Sequence, residues 1–163
     1  MEKSPVDPTQ YFSDQVVLSV SIKSSQEVLY NYLTDIENLT QFFPGIEFRV
    51  ISEGPLAVGS VYHTRQKGAK NWSPYRVVAL EKNRQMSAML TGKDPLFAAL
   101  RYDHTFIRQG DETVSHETVD YTFRFGFAGR ILNAIIGKKL VKKQVLDAHR
   151  QLKATAESLP GGG

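Results

Sequence analysis

Two side chains with the chemistry for proton transfer, His104 and Glu117, fall on facing strands of one predicted hairpin. A carboxylate against an imidazole in a low-dielectric site stabilises the imidazolium and fixes its tautomer, which is what general acid–base work requires. The same pairing also serves as a satisfied buried polar pair, or as a group that only orients a ligand. A second candidate set is His63 and Arg65, which share one face of a strand with Val61. If that face is the inner one, Arg65 can hold a carboxylate or an enolate oxygen through two parallel hydrogen bonds. Tyr62, Thr64 and Gln66 occupy the opposite face, and neither set is apolar enough to decide the direction. No metal is expected: His63, His104, His116 and His149 are scattered, none is four residues from another, and His149 reads as a histidine at the edge of a helix core stripe.

The hairpin that carries the first pair is legible from its turn. With Gly110 and Asp111 as the two central residues, Gln109 pairs with Glu112 and the pairing runs backward in step. Leu100, Tyr102, His104 and Phe106 then share a face with Ser115, Glu117, Val119 and Tyr121, continued by Phe123 and Phe125. The other face sets Arg101 opposite Asp120 and Thr105 opposite His116. A slip of one residue would place aromatics opposite charges, so the apolar pattern selects this register.

Upstream of the hairpin, Val16, Leu18, Val20 and Ile22 alternate with polar neighbours as in a half-buried strand. Ser24 and Glu27 form a capping box ahead of Val28, Leu29, Tyr32, Leu33 and Ile36, and a second short helix carries Ile36, Leu39, Phe42 and Phe43 before Pro44 ends it. Strands are predicted over 46–52, 60–66, 74–80, 85–90, 100–108 and 113–125, separated by turn signals such as Gly54-Pro55 and Lys82-Asn83. From Gly129 to Leu159 the apolar residues Val141, Val145, Ala148, Leu152 and Ala156 recur at helical spacing, so one long amphipathic helix closes the chain. A flexible arm over 1–13, a single domain over 14–159 and a flexible tail over 160–163 complete the expected organisation.

Composition bounds what such a domain can be. The chain has no cysteine, which excludes thiol catalysis and Cys-based metal sites and leaves cytoplasm as the default compartment. No apolar run approaches the roughly 18–20 residues that span a bilayer. Net charge is 20 − 17 = +3, too small to argue for nucleic acid. Phosphate-binding loops, dinucleotide fingerprints and nucleophile elbows are missing from the sequence, and no cofactor is expected. The charge that exists is local: Lys138, Lys139, Lys142 and Lys143 stand beside Ile131, Leu132, Ile135, Ile136 and Leu140. That segment reads either as a solvated helix face or as a basic amphipathic stretch of the kind that rests on an anionic membrane, with Phe125 and Phe127 at a lipid-facing entrance.

The order strand, two short helices, six strands and long C-terminal helix resembles the START-like, or SRPBCC, superfamily. Ser24 to Glu27, Asp35 ahead of Phe42-Phe43-Pro44-Gly45, Gly59 before a strand, and the Gly110 hairpin followed by Thr113 and Val114 add local likeness. The resemblance implies an α+β helix-grip fold, in which a curved antiparallel seven-stranded sheet wraps a long C-terminal helix around a hydrophobic cavity. His63, Arg65, Trp72, Tyr75, Tyr102, Phe106, Val119, Tyr121, Phe123, Leu132 and Ile136 are the residues expected to line it. It further implies binding of a lipid, quinone or polyketide-like molecule. Two other activities stay open: a cyclase, dehydratase or hydrolase using His104 and Glu117, and a peripheral membrane carrier using the lysine-rich helix. Aromatase/cyclases of the superfamily use a cavity arginine, the role Arg65 would take.

Overall fold

Alternating apolar strands and one apolar helix stripe have to cover each other, and the computed structural model, which describes residues 12–159, shows how they do so. β1 (Asp14–Ile22) leads into α1 (Gln26–Thr34) and a 3-10 turn (Ile36–Gln41). β2 (Ile46–Val50), β3 (Val61–Gln66), β4 (Ser73–Glu81), β5 (Gln85–Leu90), β6 (Phe97–Gln109) and β7 (Glu112–Phe123) follow. The chain closes with α2 (Gly126–Leu132), a π-helical turn (Asn133–Gly137) and α3 (Lys138–Glu157). The strands form one open antiparallel sheet in the order β1-β7-β6-β5-β4-β3-β2. This is the helix-grip α+β architecture, with α1, the 3-10 turn and α3 packed over the apolar face. The expected arm and tail fall outside the described residues except for Phe12 and Ser13, and the Ser13 amide already bonds to the Tyr121 carbonyl.

The β6–β7 register is the one that the turn predicts, from Gln109↔Glu112 through His104↔Glu117 to Ala99↔Thr122. Gly110 supplies the turn with φ +64°. Beyond Ala99 the register shifts, so that Phe97 pairs with Phe123 and β6 begins before Leu100. β7 stops at Phe123, and Phe125 points outward at the start of α2 instead of continuing the inner face.

Two local expectations are corrected. Ser25, not Ser24, caps α1, accepting the Val28 amide at 3.2 Å. Ser24 is buried and its carbonyl takes the Thr113 hydroxyl at 2.7 Å, so it ties α1 to β7 instead. The final helix is also not uniform. Asn133 accepts the Tyr121 hydroxyl at 2.7 Å and donates to Asp14, while Gly137 rests on the Phe123 ring. The helix widens by one π turn where those contacts hold it. After that turn Val141, Val145, Leu152 and Ala156 bury a regular stripe, each Val or Leu contributing about 1.5–3 kcal/mol relative to exposure.

Candidate functional site

β6 and β7 set His104 and Glu117 directly opposite each other on the inner face, and α3 brings His149 down onto the same point. Glu117 Oε1 lies 3.1 Å from His104 Nε2, and Oε2 lies 3.2 Å from His149 Nδ1. Neither approach is aligned as a hydrogen bond. Both Glu117 oxygens and His104 Nδ1 therefore lack a hydrogen-bond partner among the described residues, although Glu117 is only 1% exposed and His104 13%. An unsatisfied buried polar group costs about 1–3 kcal/mol, and a charged one more. Buried polar groups are ordinarily paired, so these three atoms are exceptions.

His149 is satisfied. Its Nδ1–H donates to the Val145 carbonyl one turn back at 3.1 Å, and Nε2 accepts from the Ser115 hydroxyl at 3.1 Å. Burial lowers its pKa below the usual histidine value, against the pull of Glu117, so it is held in the neutral form. Its ring stacks on His104 with centroids 6.0 Å apart. The expectation of scattered histidines is thus corrected for these two, which the helix and the sheet bring together across the core. The donor atoms of His104, Glu117 and His149 lie within 4.8 Å of one another, a set with the composition of a metal site. Both His149 nitrogens are already engaged, by the Val145 carbonyl and the Ser115 hydroxyl.

Glu117 and His104 form part of the lining of a cavity of about 140 Å³ between the sheet and the helices. Tyr62, Tyr75 and Tyr102 line it from β3, β4 and β6. Tyr62 and Tyr75 stack at 5.5 Å, and Tyr102 tilts against Tyr75 at 6.2 Å. Burial raises the pKa of all three, so their hydroxyls stay protonated. Leu33, Leu39, Phe43, Phe48, Met86, Ala88 and Leu100 supply apolar wall. The exposed lining residues Gln66, Asn71, Pro95, Leu96 and Gln144 mark the mouth. A shallower groove of about 320 Å³ shares Phe43, Ile46, Gln66 and Gln144 with the cavity and runs on past Leu140 and Lys143.

Of the residues expected to line this space, Tyr75, Tyr102, His104, Glu117 and Arg65 do. The Arg65 guanidinium is nevertheless committed elsewhere: Nε bonds Glu47 at 2.5 Å and the group stacks over Trp72 at 4.3 Å. Trp72 faces an outer groove and His63 lies outside the cavity lining, because Tyr62, which alternates with His63, takes the inner position. Phe106, Val119 and Tyr121 are packed core outside the cavity lining, and Phe123 stacks on Phe97 at 5.1 Å beneath the π turn. Leu132 and Ile136 are exposed. Tyr62 and His149 are, with apolar wall residues such as Leu33, Phe43 and Met86, site residues outside the set expected from the sequence. Alternation with the polar His63 hid the first, and the second was placed on the right helix face with its partner across the fold invisible.

A helix-grip domain with a small apolar cavity and a buried, unsatisfied carboxylate is the class that this geometry defines. Residues 13–157 match the family model for polyketide cyclase / dehydrase and lipid transport, and the chain belongs to that family. Similar solved structures include a START superfamily protein from Mycobacterium smegmatis, 19% identical with a TM-score of 0.72, covering 90% of this chain and 99% of that one. The di-domain ARO/CYC StfQ from the steffimycin biosynthetic pathway is 14% identical with a TM-score of 0.71, covering 88% of this chain and 50% of the other. The protein TTHA0849 from Thermus thermophilus is 16% identical with a TM-score of 0.72, covering 88% of this chain and 97% of that one. At these identities the likeness speaks for the fold alone. No curated protein matches the chain.

Proposed function

We propose that this protein binds a hydrophobic small molecule whose ring end enters the cavity and whose hydroxyl meets Glu117 and His104. The observation that carries the reading is the buried Glu117 carboxylate without a hydrogen bond among the described residues, in a cavity whose wall is mostly apolar. Apolar pockets with a few convergent polar groups are the usual form of a ligand site. A volume near 140 Å³ holds about one aromatic ring, on the scale at which engineered apolar cavities take up benzene. The remainder of a larger ligand would then extend through the mouth into the groove beside Leu140. A phenol-type hydroxyl suits the inner end because it donates to a carboxylate oxygen and accepts from a ring N–H.

The test is a calorimetric titration of hydrophobic phenols against the wild type and Ala88→Phe, which fills the space from β5. The wild type should bind and the variant should not. Binding that survives in a folded Ala88→Phe protein would move the site elsewhere.

A second reading, an enzyme of the cyclase or dehydratase type, is favoured by the same pair. His104 would exchange a proton with the bound molecule, and Glu117 would stabilise the imidazolium so formed. His104→Ala should then abolish turnover while ligand affinity changes little. Equal loss of both would leave the pair a binding role only.

A further inference from the structure

Hydrophobic side chains of one kind have two fates in the C-terminal helix. Of the thirteen large apolar residues exposed on the described chain, seven fall between positions 125 and 140: Phe125, Phe127, Ile131, Leu132, Ile135, Ile136 and Leu140. Phe127 is 72% exposed and Ile135 63%. The segment touches the body along a narrow line, with Gly129 and Gly137 against Phe123 and Asn133 bonded to Tyr121 and Asp14. Everything else on it faces outward. An apolar surface concentrated in this way marks a docking site.

Charge identifies the occupant. Positions 124–146 carry Arg124, Arg130, Lys138, Lys139, Lys142 and Lys143 and no acidic residue. Lys138 is paired with Asp14 at 3.2 Å and Lys143 with Asp147 at 2.5 Å. Arg130, Lys139 and Lys142 have no ion pair among the described residues. A second copy docked on this face would set these unpaired bases against like charges, and an anionic surface would neutralise them. The groove that leads into the cavity has Leu140 and Lys143 on its helix side, so the apolar and basic segment borders the entrance.

We propose that α2, the π turn and the first turn of α3 dock on an anionic lipid bilayer, with Phe127, Ile131 and Ile135 inserted and Lys139 and Lys142 at the headgroups. Docking there places the groove at the lipid surface, so a hydrophobic ligand passes between membrane and cavity without crossing water. This last step rests on the ligand reading above. The docking itself does not.

Flotation with vesicles of phosphatidylcholine alone, and of phosphatidylcholine containing phosphatidylglycerol, tests the proposal on protein without added ligand. Binding is expected with the anionic vesicles, weakening as salt rises. Lys139→Ala with Lys142→Ala should weaken it about 25-fold, at roughly fivefold per lysine. Phe127→Ser with Ile135→Ser, both at exposed positions that leave the core intact, should remove it. Equal binding to both vesicle types, or binding to neither, would overturn the proposal. So would self-association in sedimentation equilibrium that Ile135→Ser abolishes, which would assign the face to a second copy. Vesicle binding is scored without ligand and ligand binding without vesicles, so the two readings fail separately.

Discussion

The two parts of the C-terminal helix differ in what their apolar residues meet. In α3, Val141, Val145, Leu152 and Ala156 are buried and His149 reaches the Glu117 floor, whereas Ile131, Ile135 and Ile136 before it face outward. The segment before Gly137 is the more apolar of the two, with Arg130 the one charged residue over 125–136 against eight in α3, yet it is the exposed one, so hydrophobicity alone does not decide burial. Position against the sheet decides it. β1 and α1 give the later part a surface to pack on, and the earlier part meets the body only at its glycines, Asn133 and Phe123.

Mutations sharpen that contrast, beginning with the largest effect. Leu152→Ala should cost about 2–5 kcal/mol, read by denaturant unfolding, because it opens a cavity in the core. Ile135→Ala should stay within about 0.5 kcal/mol. Equal costs would mean that the earlier segment is packed after all. Gly137→Ala comes next, at about 1–3 kcal/mol, since a Cβ there would stand 2.5 Å from the Phe123 ring. An unchanged midpoint would show that the ring moves aside freely.

The floor is tested through pH. His149 has its pKa lowered in the folded protein from the ordinary value of 6.5, chiefly by burial, so the unfolded chain takes up its proton more readily. Stability is therefore intact above pH 6.5 and falls as pH drops below it, because the unfolded state then binds more protons. Glu117 opposes the shift, and His104 and His116 add to it. The melting temperature of the wild type should decline between neutral and mildly acidic pH, and His149→Gln should flatten that portion of the profile. A profile unchanged by the substitution would remove His149 from the account.

The elements were legible in the sequence because each carries a local signal. The Gly110-Asp111 turn and the alternating aromatics define the β6–β7 register, which places His104 on Glu117. The cap was misread by one residue because two serines are adjacent and only tertiary contact, Thr113 against the Ser24 carbonyl, separates them. The orientation of β3 was undecided for a related reason. Tyr62 and His63 are both amphipathic, and what settles the inner face is the stack of Tyr62 on Tyr75 from the next strand. His149 was placed on the right helix face, but its partner comes from a strand far away in the chain. Expected lining residues such as Phe106 and Val119 were correctly apolar and correctly inward, yet inward positions split into core and cavity, a distinction that periodicity does not carry.

The central claim is that the Glu117 carboxylate waits for a hydroxyl carried by a hydrophobic ligand. Calorimetric titration of 4-octylphenol and of its methyl ether against the wild type and Glu117→Gln tests it most directly. The two probes match in ring and tail and differ in one donated hydrogen. The account predicts that the wild type prefers the phenol by about tenfold or more, the worth of a charge-assisted hydrogen bond, and that Glu117→Gln largely loses this preference while still binding both. Equal affinity of the wild type for phenol and ether, or binding of neither, would contradict it.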